Sequence, residues 1–211
     1  MTPWSVHTQP LPASSSAAPS NCSKIKMTCL TAVFSVALLA CGGVTPVDVH
    51  DPRLSLEARL WVGGAEDAVA IAGANLDDAR AELAELESWR RTLPKSLGGG
   101  TLDAAFGAWV SSRSKVAEVT VNRARLELDL AQIALEVTHA ETAMRHDLAV
   151  YDLVTLRARK DGARAEVDAA TRLLEEAALA REAATTAFWS AYRQAGQSPD
   201  STRLFWSSPP R

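Results

Sequence analysis

The chain has 211 residues, 38 of them Ala, with only 6 Trp, 4 Phe and 2 Tyr. So much of the best helix former beside so few aromatics argues against a sandwich, a barrel or a doubly wound sheet and for an all-α fold. A net charge of −3, from 22 Lys+Arg against 25 Asp+Glu, offers no basic field to neutralise phosphates, so nucleic-acid binding is not expected.

Residues 1–23 are rich in Ser, Pro, Ala and Thr and carry no charged side chain, a composition expected to be disordered. Lys24 and Lys26 then precede an apolar run, Leu30 to Ala40, that ends at Cys41. The run is too short for the ~20 residues of a bilayer-spanning helix and suits the apolar region of an export signal. Only Thr31 and Ser35 interrupt it, so it lacks the polar face at period 3.6 that a core helix carries. Leu38-Leu39-Ala40-Cys41 resembles the lipobox of bacterial lipoprotein precursors.

That resemblance implies that the Cys41 sulfur is joined to diacylglycerol as a thioether, that cleavage follows before Cys41 and that the residue carries three acyl chains in all, with no other cofactor. One acyl chain gives only marginal binding at ~0.8 kcal/mol per buried methylene, so three would hold the chain firmly to a membrane. Gly42 stands where Asp often retains such proteins at the inner membrane. The resemblance therefore implies the periplasmic face of the outer membrane, with the outer leaflet of the inner membrane as the alternative. Cys22 and Cys29 precede the cleavage site, so no disulfide is expected in the mature chain.

Residues 41–50 read as a Gly/Val/Pro tether, and 51–196 as an α-helical coiled-coil domain. Asp51-Pro52 supplies an N-cap acceptor followed by Pro at the first helical position, so a first helix is predicted over about 52–93. Its seam runs Val69, Ala72, Leu76, Ala79, Leu83 and Leu86 at alternating spacings of 3 and 4. Arg90-Arg91 meet the carbonyl end of the dipole and Leu93-Pro94 stops the helix. Pro94 to Gly100 is a loop, and Thr101 with Asp103 opens a second helix over about 101–160. A second seam runs Val116, Val119, Leu126, Leu130, Ile133, Val137, Ala140 and Met144, followed by a one-residue slip to Leu148 and Tyr151 that reads as a stutter.

Arg157, Arg159 and Lys160 just before Asp161-Gly162 form a helix C-terminus pattern. A turn there gives a third helix over about 163–196, with seam residues Val167, Ala170, Leu174, Ala177, Ala184, Phe188 and Ala191, and Ala180, Ala183 and Ala187 beside it. The long helices then pack as an antiparallel three-helix bundle with disordered N- and C-terminal tails. Without the turn, one helix of ~95 residues would run ~140 Å and need a dimer partner. Glu87 with Arg91, Glu141 with Arg145 and Asp168 with Arg172 are expected as surface i,i+4 pairs worth only ~0.3–0.5 kcal/mol each. In the flexible tail, residues 197–211, Leu204-Phe205-Trp206 either folds back or serves as a linear partner motif.

Signals for chemistry are sparse. Glu136 and His139 form an E-x-x-H, the spacing used in ferritin-like di-iron bundles, but those need the motif twice. No metal is expected, and His139 is read as solvent-exposed. There is no G-x-S-x-G, P-loop or G-x-G-x-x-G, so no catalytic residue and no small-molecule substrate is evident. Trp89, Phe106 and Trp109 flank the first loop and are expected to form a packed cap.

Tyr151, Gly162-Ala163, Glu166-Val167-Asp168 and Ala169-Ala170 resemble the coiled-coil hairpin tips of periplasmic efflux adaptor proteins. That likeness implies docking on channel helices. The candidate partner contacts are Gly162 at that expected turn, Leu97 in the first loop, and Phe205 and Trp206 in the tail. The expected function is non-enzymatic: a lipid-anchored element with a structural or protein-interaction role in the cell envelope, through protein partners or self-association of the helices. An accessory subunit of an envelope transport assembly and a metal-dependent helical-bundle enzyme are the alternatives.

Overall fold

Three long helices make up most of residues 56–194. In a computed structural model, which describes residues 43–196, α1 spans Leu56–Thr92, α2 Gly100–Arg145 and α3 Leu153–Gln194. No strand occurs among the described residues, and the architecture is an all-α three-helix bundle. The leader, the lipobox with Cys41, and the tail with Phe205 and Trp206 lie outside the described residues.

The seams are where their spacing puts them. On α1, Ala72, Leu76, Ala79 and Leu86 are buried. Val119, Val137 and Ala140 are buried on α2, as are Ala170, Ala177 and Phe188 on α3. Ala180, Ala183 and Ala187 beside the third seam face solvent.

α2 is the shared element. Among the described residues α1 and α3 each pack along α2 but not along one another. Two faces of α2 are therefore covered, and between Val119 and Met144 only Asn122, Arg125, Asp129 and Gln132 are exposed.

α1 starts later than the Asp51-Pro52 signal suggests. Ser55 is the N-cap, its hydroxyl accepting the Ala58 N–H at 3.2 Å. Asp51 is engaged instead by Arg53, accepting its N–H at 2.9 Å and its guanidinium at 2.7 Å. Those bonds hold the Asp51 carboxyl at about 2. At the far end of α1 the chain reverses through Gly98, Gly99 and Gly100, whose φ values of 135°, 87° and 62° suit glycine. Asp103 closes this loop by accepting the Leu97 N–H at 2.6 Å and the Ser96 hydroxyl at 2.6 Å. Both bonds lower its pKa.

The second turn is not at Asp161-Gly162. The chain leaves α2 at Arg145 and enters α3 at Leu153, so the apparent stutter at Leu148 and Tyr151 is the turn itself. Asp147 takes the left-handed conformation at φ 52°, and the Leu148 N–H reaches back to the Ala143 carbonyl at 2.8 Å, ending α2 without a glycine. Asp152 then caps α3, accepting the Val154 and Thr155 N–H groups at 3.1 Å and the Thr155 hydroxyl at 2.6 Å.

Gly162 is an exposed residue within α3. Two of the cations that resembled a helix end reach sideways to α2 instead: Arg157 to Glu141 at 2.6 Å and Arg159 to Glu136 at 3.1 Å. Glu141 thus pairs across helices and not with Arg145, and neither Glu87–Arg91 nor Asp168–Arg172 forms an ion pair.

Residues 43–54 are not a free tether. They form a strap packed on the bundle end that holds the 146–152 turn, where Val47 and Leu54 are buried with Ala58 and Ala143.

At the opposite end Leu102, Phe106, Trp109, Val110, Phe188 and Tyr192 make the largest apolar cluster, joined by Trp89, Leu93 and Leu97. Trp109 stacks on Phe188 at 5.1 Å and meets Trp89 edge-on at 5.7 Å. Such pairs add ~0.5–1.5 kcal/mol each beyond their buried area. The expected cap of Trp89, Phe106 and Trp109 is present and draws in the end of α3.

Candidate functional site

The strap end carries the polar chemistry. Val44 packs against the cluster of Val137, Ala140 and Leu156. The Thr45 N–H donates to the Tyr151 hydroxyl at 3.2 Å, and the Val47 N–H donates to His139 Nδ1 at 3.1 Å. His139 is 6 % exposed, so the expectation of a solvent-exposed histidine is wrong: the strap lies over it. To accept at Nδ1 the imidazole must be neutral, with its proton on Nε2. Burial lowers its pKa, and the carboxylate of Glu66 on α1 partly offsets that.

The E-x-x-H motif is divided between two tasks. Glu136 pairs with Arg159 of α3 while His139 serves the strap. Among the described residues, no group of three or more His, Cys, Asp or Glu side chains could hold a metal ion.

Beside the strap a cleft of about 640 Å³ opens between the first turns of α1 and the last turn of α2. Ser55, Glu57 and Trp61 line one wall and Thr142, Arg145 and His146 the other. The Arg145 guanidinium lies 4.8 Å from the Trp61 ring centroid, a cation–π arrangement. Thr142 is 1 % exposed, yet its hydroxyl has no hydrogen-bond partner. By contrast, the hydroxyls of Thr120, Thr138 and Thr171 donate to carbonyls four residues back. An unmade bond at a buried hydroxyl costs ~1–3 kcal/mol, which makes Thr142 the anomalous group of this wall.

The other sequence candidates separate. Leu97 is half-buried in the first loop, packed under the aromatic cluster and tied to Asp103 by its N–H. Gly162 lies on a shallow cleft formed with Gln132, Ile133 and Glu166. Residues 163–170 run along the middle of α3, not at a hairpin tip. Sequence reasoning missed Trp61, Thr142 and Arg145, because α1 and α2 bring them together from more than 80 positions apart.

Among the described residues no helix is long and apolar enough to cross a membrane. No protein-family model, curated protein or solved structure matches this chain.

Proposed function

We infer that the protein is a lipid-anchored lipoprotein of the cell envelope, acylated at Cys41, whose helical bundle has a structural or protein-interaction role and not a catalytic one. The observation that carries this is the order of parts. A lipobox-like Leu38-Leu39-Ala40-Cys41 stands directly before a strap whose Val47 is fastened to one end of the bundle. An acylated Cys41 then ties that end to the bilayer. The 94–100 loop is carried away by the 46 residues of α2, about 70 Å at 1.5 Å per residue. Gly42 after the cysteine favours the periplasmic face of the outer membrane.

Globomycin, which blocks lipoprotein signal cleavage, tests the reading. Treated cells are expected to accumulate precursor, and Cys41→Ser to abolish fatty-acid labelling. Unchanged mobility and unchanged labelling overturn the anchor.

An accessory role in an envelope transport assembly is the second reading, favoured by the Leu97 loop at the end far from the strap. A small cleft there lies between that loop and the last turn of α3. Crosslinkers placed at Leu97 and Gly162 separate the two roles: a specific channel partner supports transport, and crosslinks between copies alone support a structural role.

A further inference from the structure

Exposed apolar side chains gather at the strap end. Of the eight large hydrophobic residues exposed among those described, Leu56, Leu60, Trp61, Val150 and Val154 lie at the start of α1 or around the second turn. Leu56 and Leu60 stand one helical turn apart at 72 % and 69 % exposure, and Val150 and Val154 reach 90 % and 80 %. The remaining three, Ile71, Leu173 and Leu179, are scattered along α1 and α3. Isolated exposed leucines need no explanation, but clustering at one end does.

The chain outside the described residues narrows the choice of occupant. On the envelope reading an acylated Cys41 stands two residues before Gly43, so the surface brought to this end is a bilayer.

The cleft between α1 and α2 adds a polar requirement at the same end. Its lining pairs a cation, Arg145, with a carboxylate, Glu57, which form no ion pair with each other. His146 and Thr142, whose buried hydroxyl is unpartnered, line the Arg145 side. Opposite charges held apart across one opening suit a ligand that is itself divided, with an anionic group near Arg145 and a cationic group near Glu57. Trp61 offers the amphipathic ring that suits a membrane interface.

We propose that this end is a membrane-docking face, in which Leu56, Leu60, Val150 and Val154 enter the bilayer surface and the cleft takes the headgroup of a zwitterionic phospholipid. The phosphate sits against Arg145, His146 and the Thr142 hydroxyl, and the amine against Glu57. The proposal rests on the envelope reading for the presence of a membrane, but the contact it describes needs no acyl chain.

The test is flotation of the full chain carrying Cys41→Ser, so that no lipid is attached. The probes are vesicles of phosphatidylethanolamine with phosphatidylcholine and, separately, vesicles of digalactosyldiacylglycerol, which has neither phosphate nor amine. The parent is expected to float more strongly with the zwitterionic vesicles. Leu56→Ser with Leu60→Ser is expected to weaken flotation on both by about a hundredfold, about tenfold for each leucine withdrawn from the bilayer surface. Arg145→Ala and Thr142→Val are expected to weaken it only on the zwitterionic vesicles, with circular dichroism unchanged.

If the leucine variant floats like its parent, the apolar run common to both carries the binding and the docking face is wrong. If galactolipid binds equally well, or Thr142→Val raises the melting temperature without changing flotation, the headgroup site is wrong. Failure of lipidation in cells would show in the globomycin experiment and leave these results unaltered.

Discussion

The two ends of the bundle are held by different physics. At the loop end, Trp89, Phe106, Trp109, Phe188 and Tyr192 exclude water from one another, and Arg113 lies over the Trp89 and Trp109 rings at 5.0 and 5.3 Å. At the strap end the buried apolar groups are mainly aliphatic, and position is set by single hydrogen bonds at Thr45 and Val47 and by the Asp152 cap. The first end is built for cohesion. The second is built so that a few polar groups decide whether a segment is seated.

Four substitutions break or sharpen that contrast. Trp109→Ala removes the ring at the centre of the cap and should cost about 3–5 kcal/mol in denaturant unfolding. A loss below 1 kcal/mol would mean the cap is not the cohesive end.

His139→Phe keeps the bulk but removes the acceptor, and should cost about 1–3 kcal/mol because the Val47 N–H is left buried without a partner. Acid should act in the same direction. Burial sets the folded pKa of His139 below its ordinary 6.5, so the unfolded chain binds the proton first. The stabilisation is complete above about 6.5 and fades as pH falls below that value. Amide exchange at Val47 should therefore accelerate below pH 6 in the native chain, beyond the intrinsic pH effect, and should not do so in His139→Phe.

Ser55→Ala removes the N-cap of α1 and should cost about 1 kcal/mol, read as a lower melting temperature. The smallest effect has the opposite sign. Gly162 is helical, and a Cβ there meets nothing within 4 Å, so Gly162→Ala should stabilise by about 0.5–1 kcal/mol. Destabilisation would show that the glycine is needed for a bend.

What was legible in the residues is what is local. The seams follow from spacings of 3 and 4, and the first loop from Pro94 and Gly98 to Gly100. The second turn was misplaced because its signals are two aspartates: Asp147 in the left-handed region and Asp152 as a cap. Gly162, preceded by cations, imitated a helix end whose charges are in fact committed to Glu141 and Glu136 across the helix pair. The strap was unreadable for a different reason. Its acceptor lies 92 residues downstream, and no periodicity links Val47 to His139. The apolar Val44 and Val47 in a stretch otherwise read as a spacer were the remaining clue.

The placement of α2 between two helices that do not run along each other has a mechanical consequence. A pull through the amino-terminal side meets the bonds at Thr45 and Val47 one after the other, as in peeling tape, and then reaches α1. Because α1 packs along α2 and meets α3 only where Trp89 joins the loop-end cluster, it can unzip from the strap end while most of the α2–α3 hairpin stays closed, so the first helix acts as a fuse that yields before the rest of the molecule bears the load.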